Sequence, residues 1–327
     1  MRNKIFYLVK PLVPRRFQLF LRRKMVQRKR PRFSGQWPID PGAGDPPTWW
    51  QGWPGNKKFA LVLSHDVDTQ KGHDTSITLM RHEKEAGFRS SFNFVPERYT
   101  VSQLVQDVIA DNGFEIGVHG LKHDGKLFSS KKVFDTQAKR INRYIEDWDA
   151  VGFRAPSMIR NLEWIKDLNI EYDASTFDTD PFEPQPEGMG TIFPFWVDGG
   201  DGKKGYVELP YTLCQDFTLF IVMGEKDSSI WQNKLDWIAE HGGMAFINTH
   251  PDYMNFHGSP CGPEEYPVSY YLDFLNYIKE KYAGEFWHVL PKDISRFWRY
   301  YPRHADAVAE FESAPDGVRS LIHRKAS

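Results

Sequence analysis

Two aspartates two apart, Asp66 and Asp68 in Ser64-His65-Asp66-Val67-Asp68, are the first residues of this chain suited to chemistry. The second set is two histidines four apart, His119 and His123 in Glu115-Ile116-Gly117-Val118-His119-Gly120-Leu121-Lys122-His123. Each set follows a short apolar run that reads as a buried strand. Two imidazoles and one carboxylate make a three-ligand site with an open position, the donor set of a catalytic rather than a structural zinc. The other carboxylate is then spare and can serve as a base. Metal-assisted hydrolysis is the chemistry this set predicts. Taken alone, His-x-x-x-His is a common spacing that ordinary polar loop residues would also explain.

Such side chains need a scaffold, and the rest of the chain reads as alternating strands and helices. Short apolar runs predict strands at 59–64, 91–95, 114–119, 152–154, 170–173, 206–209, 245–249 and 287–290. Between them, helical spacing predicts helices at 75–87, 102–112, 131–148, 161–168, 229–241 and 268–282. In the third helix Phe134, Ile141, Tyr144, Ile145 and Trp148 form a core-facing stripe. This alternation predicts a parallel α/β sheet, closed as a barrel or doubly wound. In either form ligands collect at the carboxyl ends of the strands. Asp66, Asp68, His119, His123, Arg154 and His250 all fall at or just past such ends. That convergence is the main argument for an active site.

On these residues the chain resembles the polysaccharide deacetylases of the NodB-homology type (carbohydrate esterase family 4), across 57–302. The family's Thr-Phe-Asp-Asp motif is met loosely at 64–68, in a D-x-D form. That form is similar to the branch holding peptidoglycan-deacetylase-like and cyclic-imidase or allantoinase-like members. The H-x-x-x-H motif is met by His119 and His123, and R-x-P by Arg154-Ala155-Pro156. The strand ending in His is Phe246-Ile247-Asn248-Thr249-His250.

The resemblance implies an α/β fold, a distorted (β/α) barrel of about seven parallel strands related to the TIM barrel. It implies a divalent metal, zinc by default, on Asp68, His119 and His123. Asp66 would be the general base, Arg154 the cation that keeps it ionised and oriented, and His250 the acid for the departing amine. Asp216 is the best match for the acidic partner of His250, with Asp173, Asp178 and Asp180 as rivals. Pro156, Tyr211 and Tyr253 are implied on the substrate side, with the Tyr211 N–H as an oxyanion donor. The sequence departs from the family pattern at Val67 between the aspartates, at His65 where an aromatic is usual, and at Ser157 after the R-x-P.

The 327 residues, 40% hydrophobic and 15% aromatic, suffice for one large α/β barrel or two domains. Two cysteines, Cys214 and Cys261, make no disulfide scaffold and are compatible with a reducing compartment. No run approaches the roughly 20 apolar residues of a membrane span. The run Ile5-Phe6-Tyr7-Leu8-Val9 is stopped by Lys10 and Pro11, too short for a signal-peptide core, so export by that route is not expected. The net charge of −1 hides an asymmetry: residues 1–32 hold twelve Lys or Arg and no acid, leaving −13 on the remainder.

The expected organisation is a basic amphipathic arm (1–34), a Pro/Gly/Trp-rich connector (35–56), the barrel (57–302) and a tail (303–327). Such an arm suits an anionic membrane surface, where each Lys or Arg adds about 1 kcal/mol. A solvated tail, or a helix packed on the body, is the plain alternative. Nothing downstream resembles a base-reading module, so nucleic acid is not an expected partner. The segment 199–203 reads as a turn rather than a phosphate loop.

These readings predict a metal-dependent hydrolase that removes N-acetyl groups from amino sugars, in a polysaccharide or a lipid- or nucleotide-linked glycan precursor. The predicted location is cytoplasmic, at the inner membrane face. The rival enzymatic reading is hydrolysis of another C–N bond, in a cyclic imide or an allantoin-like ureide. The rival outside catalysis is a carbohydrate-binding barrel without activity.

Overall fold

Phe59–Val67 forms the longest strand, β1, and every residue of it is buried. A strand covered on both faces needs an apolar run, and Phe-Ala-Leu-Val-Leu supplies one before the polar residues begin. The computed structural model describes residues 14–200, 204–258 and 260–301. Around β1 lie β2 (Ser91–Phe94), β3 (Glu115–His119), β4 (Gly152–Arg154) and β5 (Tyr172–Asp173). Then come β6 (Phe195–Val197), β7 (Tyr206–Glu208), β8 (Met244–Thr249), the short β9 (Met254–Asn255) and β10 (Tyr266–Pro267), and β11 (Phe286–His288).

Nine strands make one curled sheet in the order β11-β1-β2-β3-β4-β5-β7-β6, with β8 on the other edge of β1. All pairings in it are parallel except that of β6 with β7. The curl closes loosely through a bridge between Leu213 and Ile247. There the Thr212 and Leu213 N–H groups both donate to the Phe246 carbonyl, at 2.9 and 3.0 Å. This is the distorted barrel expected, with one parallel strand beyond the seven or so implied. The long β1 accommodates it, pairing β11 over its first residues and β2 over its last.

Helices cover the outside. They are α1 (Arg15–Lys29), α2 (Gln70–Ala86), α3 (Gln103–Asp111), α4 (Lys131–Asp147), the single turn α5 (Leu162–Ile165), α6 (Ser229–His241), α7 (Ser269–Lys281) and α8 (Pro291–Tyr300). In α4, Phe134, Ala138, Ile141 and Ile145 are buried at helical spacing. The Ser130 hydroxyl caps its start by accepting from the Val133 N–H. Gly87 ends α2 in a left-handed conformation (φ 85°) that a residue with a Cβ adopts at a cost.

Several elements were not foreseen from the sequence: β6, α8 and a π-helical segment at Phe217–Met223, whereas α1 is the packed helix given as the alternative for the arm. The connector differs most from expectation. Its Trp50 and Trp53 pack face to edge (4.5 Å) and join Trp298, Phe297 and Trp287 in one aromatic cluster. Trp53, 1% exposed, donates its indole N–H to the Gly242 carbonyl just ahead of β8 (2.8 Å). The connector therefore belongs to the barrel core, at the end away from the chemistry. Within the arm, α1 packs on the body through buried Leu19 and Val26, with the Arg23 guanidinium donating to the Ile221 carbonyl (2.8 Å). Residues 1–13 of the arm and the tail at 303–327 lie outside the described residues. Both cysteines are free thiols.

Candidate active site

Side chains alternate along a strand, so Ser64, Asp66 and Asp68 line the inner face at the carboxyl end of β1 while His65 points out. His65 is buried between Thr249 (2.7 Å) and Glu83 (2.8 Å), against the outer helices. It belongs to packing. The order β8-β1-β2-β3 then places the aspartates between His250, one residue past β8, and His119, the last residue of β3.

Asp68, His119 and His123 converge, with ligand atoms all within 4.8 Å of one another. Asp68 Oδ1 lies 3.4 Å from His119 Nε2 and 3.1 Å from His123 Nε2. Ligand atoms on one tetrahedral ion with bonds of about 2.0–2.2 Å stand about 3.3 Å apart. Although this close, Asp68 Oδ1 is buried and takes no hydrogen bond. Three ligand atoms this close, one of them a buried carboxylate oxygen without a hydrogen bond, make a donor set that fits a divalent cation. His119 donates its Nδ1–H to the Arg154 carbonyl (3.1 Å), which leaves the Nε2 lone pair available to such a cation. Burial opposes the charged form of Asp68, but His123 and His119 outweigh it and hold the carboxyl well below its usual range. His123 itself sits at φ 52°, a strained conformation for a residue with a Cβ.

Asp66 lies beside this set, its Oδ2 3.8 Å from His119 Nε2. Its Oδ1 accepts from the Asn93 amide (3.0 Å) and its Oδ2 from the Asn248 amide (2.8 Å). Arg154 Nε is 3.6 Å from Oδ1, within ion-pair reach but too far for a hydrogen bond. The arginine is instead held by Ser64 Oγ (2.9 Å) and lies over the Phe246 ring. Burial pushes the Asp66 pKa up, but the charges of His119, Arg154 and His250 outweigh it and bring it below the ordinary value. Arg154 thus supplies charge, while the two asparagines supply orientation.

The asparagines were missed in the sequence. Their signal was a polar residue set inside an apolar strand, Phe92-Asn93-Phe94 and Ile247-Asn248-Thr249. Gly117 makes room for the first: a Cβ there would lie 2.1 Å from Asn93 Oδ1. Gly117→Ala is therefore expected to swing Asn93 off Asp66. Losing a hydrogen bond to a charged group, worth about 1.5–3 kcal/mol, would lower kcat by roughly 10–100-fold. Asn93→Ala should reproduce the loss, and a Gly117→Ala enzyme with unchanged kcat would contradict the account.

His250 donates its Nδ1–H to Asp216 Oδ1 (2.6 Å), turning Nε2 outward. The remaining lone pairs of Asp216 take the His250 and Phe217 N–H groups (2.8 Å each) and the Tyr266 hydroxyl (2.9 Å). Of the rivals, Asp178 pairs with Lys234, Asp173 accepts from Ser175 and Asp180 accepts from Tyr211. Asp216 is the carboxylate on His250. Burial disfavours the imidazolium, but Asp216, Asp68 and Asp66 prevail and push its pKa up to about 10. Were His250 the general acid it would have to hold its proton, so activity should fall on the basic side, at a pH below that value once a cation offsets the Asp68 charge. Asp216→Asn is expected to move this basic limb of the kcat/KM profile to lower pH. An unmoved limb would exclude His250 as the acid that this carboxylate sustains.

Asp252, two residues past His250, carries no motif signal in the sequence. Its carboxylate accepts from the Asp68 N–H (3.0 Å) and the Thr69 hydroxyl (2.5 Å), fixing the loop that presents Asp68. Burial, with the Asp68 charge beside it, pushes Asp252 up to about 6.

The residues expected on the substrate side separate in the structure. Pro156 and His123 line one depression at the rim. Tyr253 is half-buried, its ring 5.2 Å from that of His250. Tyr211 is 1% exposed, packed on Phe177, with its hydroxyl on Asp180. Its N–H is already donated to the Thr176 carbonyl (2.9 Å), so neither the ring nor the amide faces the cleft.

No family model matches the sequence, and no curated protein matches it. Solved structures do match. A Mycobacterium smegmatis protein named as a polysaccharide deacetylase superposes with a TM-score of 0.57 at 19% identity, over 76% of this chain and 93% of its own. One from Pseudomonas aeruginosa, also so named, gives 0.58 at 16%, over 79% and 96%. The chain has the polysaccharide-deacetylase fold. That fold also carries other chemistry, since the allantoinase Puue matches with a TM-score of 0.59 at 17% identity, over 80% of this chain and 96% of its own. The deacetylase fold thus accounts for the scaffold, and the reaction must be argued from the side chains.

Proposed function

We propose that the protein is a metal-dependent hydrolase removing N-acetyl groups from amino sugars, in a polysaccharide or a lipid- or nucleotide-linked glycan precursor. The observation that carries this reading is that two groups held by separate partners, Asp66 and His250, both adjoin one three-ligand cluster. A divalent cation on Asp68, His119 and His123 would supply Lewis acidity toward oxygen. Imidazole and carboxylate ligands suit zinc and other first-row ions.

The chain's own residues do the proton work. Asp66, ionised and gripped by Asn93 and Asn248, takes a proton from the water that attacks the acetamide carbon. His250, held by Asp216, gives its Nε2 proton to the nitrogen as the C–N bond breaks. A C–O bond replaces the C–N bond, and the products are acetate and a free amine.

The same acid–base pair could open a cyclic imide or an allantoin-like ureide, and an allantoinase among the matching structures favours keeping that second reading. Acetate release from N-acetylated amino-sugar oligomers, measured beside ring opening of small imides and ureides, separates the two. Ring opening without acetate release would transfer the assignment to the second. Turnover of neither by the metal-loaded protein would leave a binding barrel.

A further inference from the structure

Among the described residues, five large apolar side chains are exposed, and four of them, Phe17, Phe20, Leu21 and Met25, lie on α1. At 100° per residue these four span an arc of about 140° on one side of the helix. Exposed Lys24 and Arg28 lie within that arc, and exposed Arg16 stands about 40° beyond it. No acid occurs on the helix. The opposite side is already used: Leu19 and Val26 are buried against the body, and Arg23 and Arg30 bond Ile221 and Glu225 there. The helix cannot turn its outer face inward without giving up these contacts.

We propose that this outer face of α1 docks on an anionic lipid bilayer. Aromatic and aliphatic side chains would enter the interface, with lysine and arginine at the headgroup level. Charge decides between occupants. A second copy pairing through this face would bring Lys24 and Arg28 of both chains together with no acid on either helix. A nucleic acid would use the cations but leave two Phe, a Leu and a Met without a partner. An anionic bilayer uses both.

The inner side of α1 reaches toward the chemistry. Arg22 lies over the Phe217 ring (4.9 Å), Phe217 packs on Tyr253 (4.9 Å), and Tyr253 packs on His250 (5.2 Å). A bilayer seated on α1 would therefore adjoin the His250 side of the cleft, where a lipid-carried glycan could enter. That consequence rests on the hydrolase reading, whereas the docking does not.

The test is co-sedimentation of the full chain with vesicles of mixed phosphatidylglycerol and phosphatidylcholine, against phosphatidylcholine alone. Binding to the anionic vesicles that weakens as salt rises is expected. Phe17→Ser/Phe20→Ser/Leu21→Ser should lower the partition by at least about tenfold, and Lys24→Glu/Arg28→Glu should weaken it on anionic vesicles. Circular dichroism would verify that both variants fold. Hydrolysis of a soluble N-acetylated substrate should be the same in both as in the parent chain.

Parent protein remaining in the supernatant with anionic vesicles would overturn the proposal. So would a triple variant that partitions like the parent. An apolar stripe that instead joins two copies, seen as a solution mass halved by the triple substitution without vesicle binding, would also overturn it. Since sedimentation needs no turnover, failure here leaves the hydrolase reading standing, and failure of the acetate assay leaves the docking standing.

Discussion

Asp66→Asn is expected to lower kcat by about 10²–10⁴-fold, the usual worth of a positioned general base, with metal content unchanged. Asp66 is not among the three converging ligands, so its loss should spare the cation. The substitution keeps the shape of the side chain but turns one acceptor into a donor facing Asn93 or Asn248, both of which already donate to it. It also removes a carboxylate beside Arg154, a guanidinium 1% exposed whose Nε–H and Nη1–H donate no hydrogen bond. Some loss of thermal stability should accompany the loss of rate. Single-turnover kinetics and metal analysis on the same preparation check both parts. Near-parental kcat in a folded, metal-loaded variant would remove Asp66 from the mechanism.

His119→Ala is the second large effect, and it acts through the metal. The imidazole is fixed at Nδ1 by the Arg154 carbonyl, and with Nε2 gone only Asp68 and His123 remain of the ligand set. We expect bound metal to fall far below one equivalent and activity to fall with it. A readout independent of turnover is available. Added zinc should raise the melting temperature of the parent chain by mass action, equivalent to about 2.7 kcal/mol at a hundred times Kd, and should do little for the variant. His73→Ala is the control. His73 is also buried, but its Nε2 accepts from the Ser102 N–H, away from the ligand set. Metal retained by His119→Ala, or lost equally from His73→Ala, would break the assignment.

The local reading succeeded where local pattern is enough. Apolar runs located β1, β2, β3, β4, β7 and β8 closely, because strands buried on both faces have few other compositions open to them, and placed the half-buried β11 to within two residues. The Phe134, Ile141 and Ile145 stripe located α4 for the same reason. It failed at β6 and the π-helical segment. β6 is three residues long and only partly buried, and it exists because β7 offers an antiparallel edge. The connector's Trp and Pro content read as a linker, since nothing local tells a tryptophan that it will meet Trp298 and Trp287 far along the chain.

For the candidate site the division is similar. Residue type and spacing along single strands were sufficient to nominate Asp66, Asp68, His119, His123, Arg154 and His250. Which groups hold them was decided only in three dimensions. Asn248 reaches Asp66 from 182 residues away, and Asp216 was one of four candidate acids until it met His250. Tyr211 lay near the right strand end and still packed inward. Donor atoms and side-chain alternation are properties of short segments, so the sequence by itself determined which chemistry the chain could perform. Hydrogen-bond partners and burial depend on the sheet order that lays β8, β1, β2 and β3 side by side, and only the tertiary structure decided those.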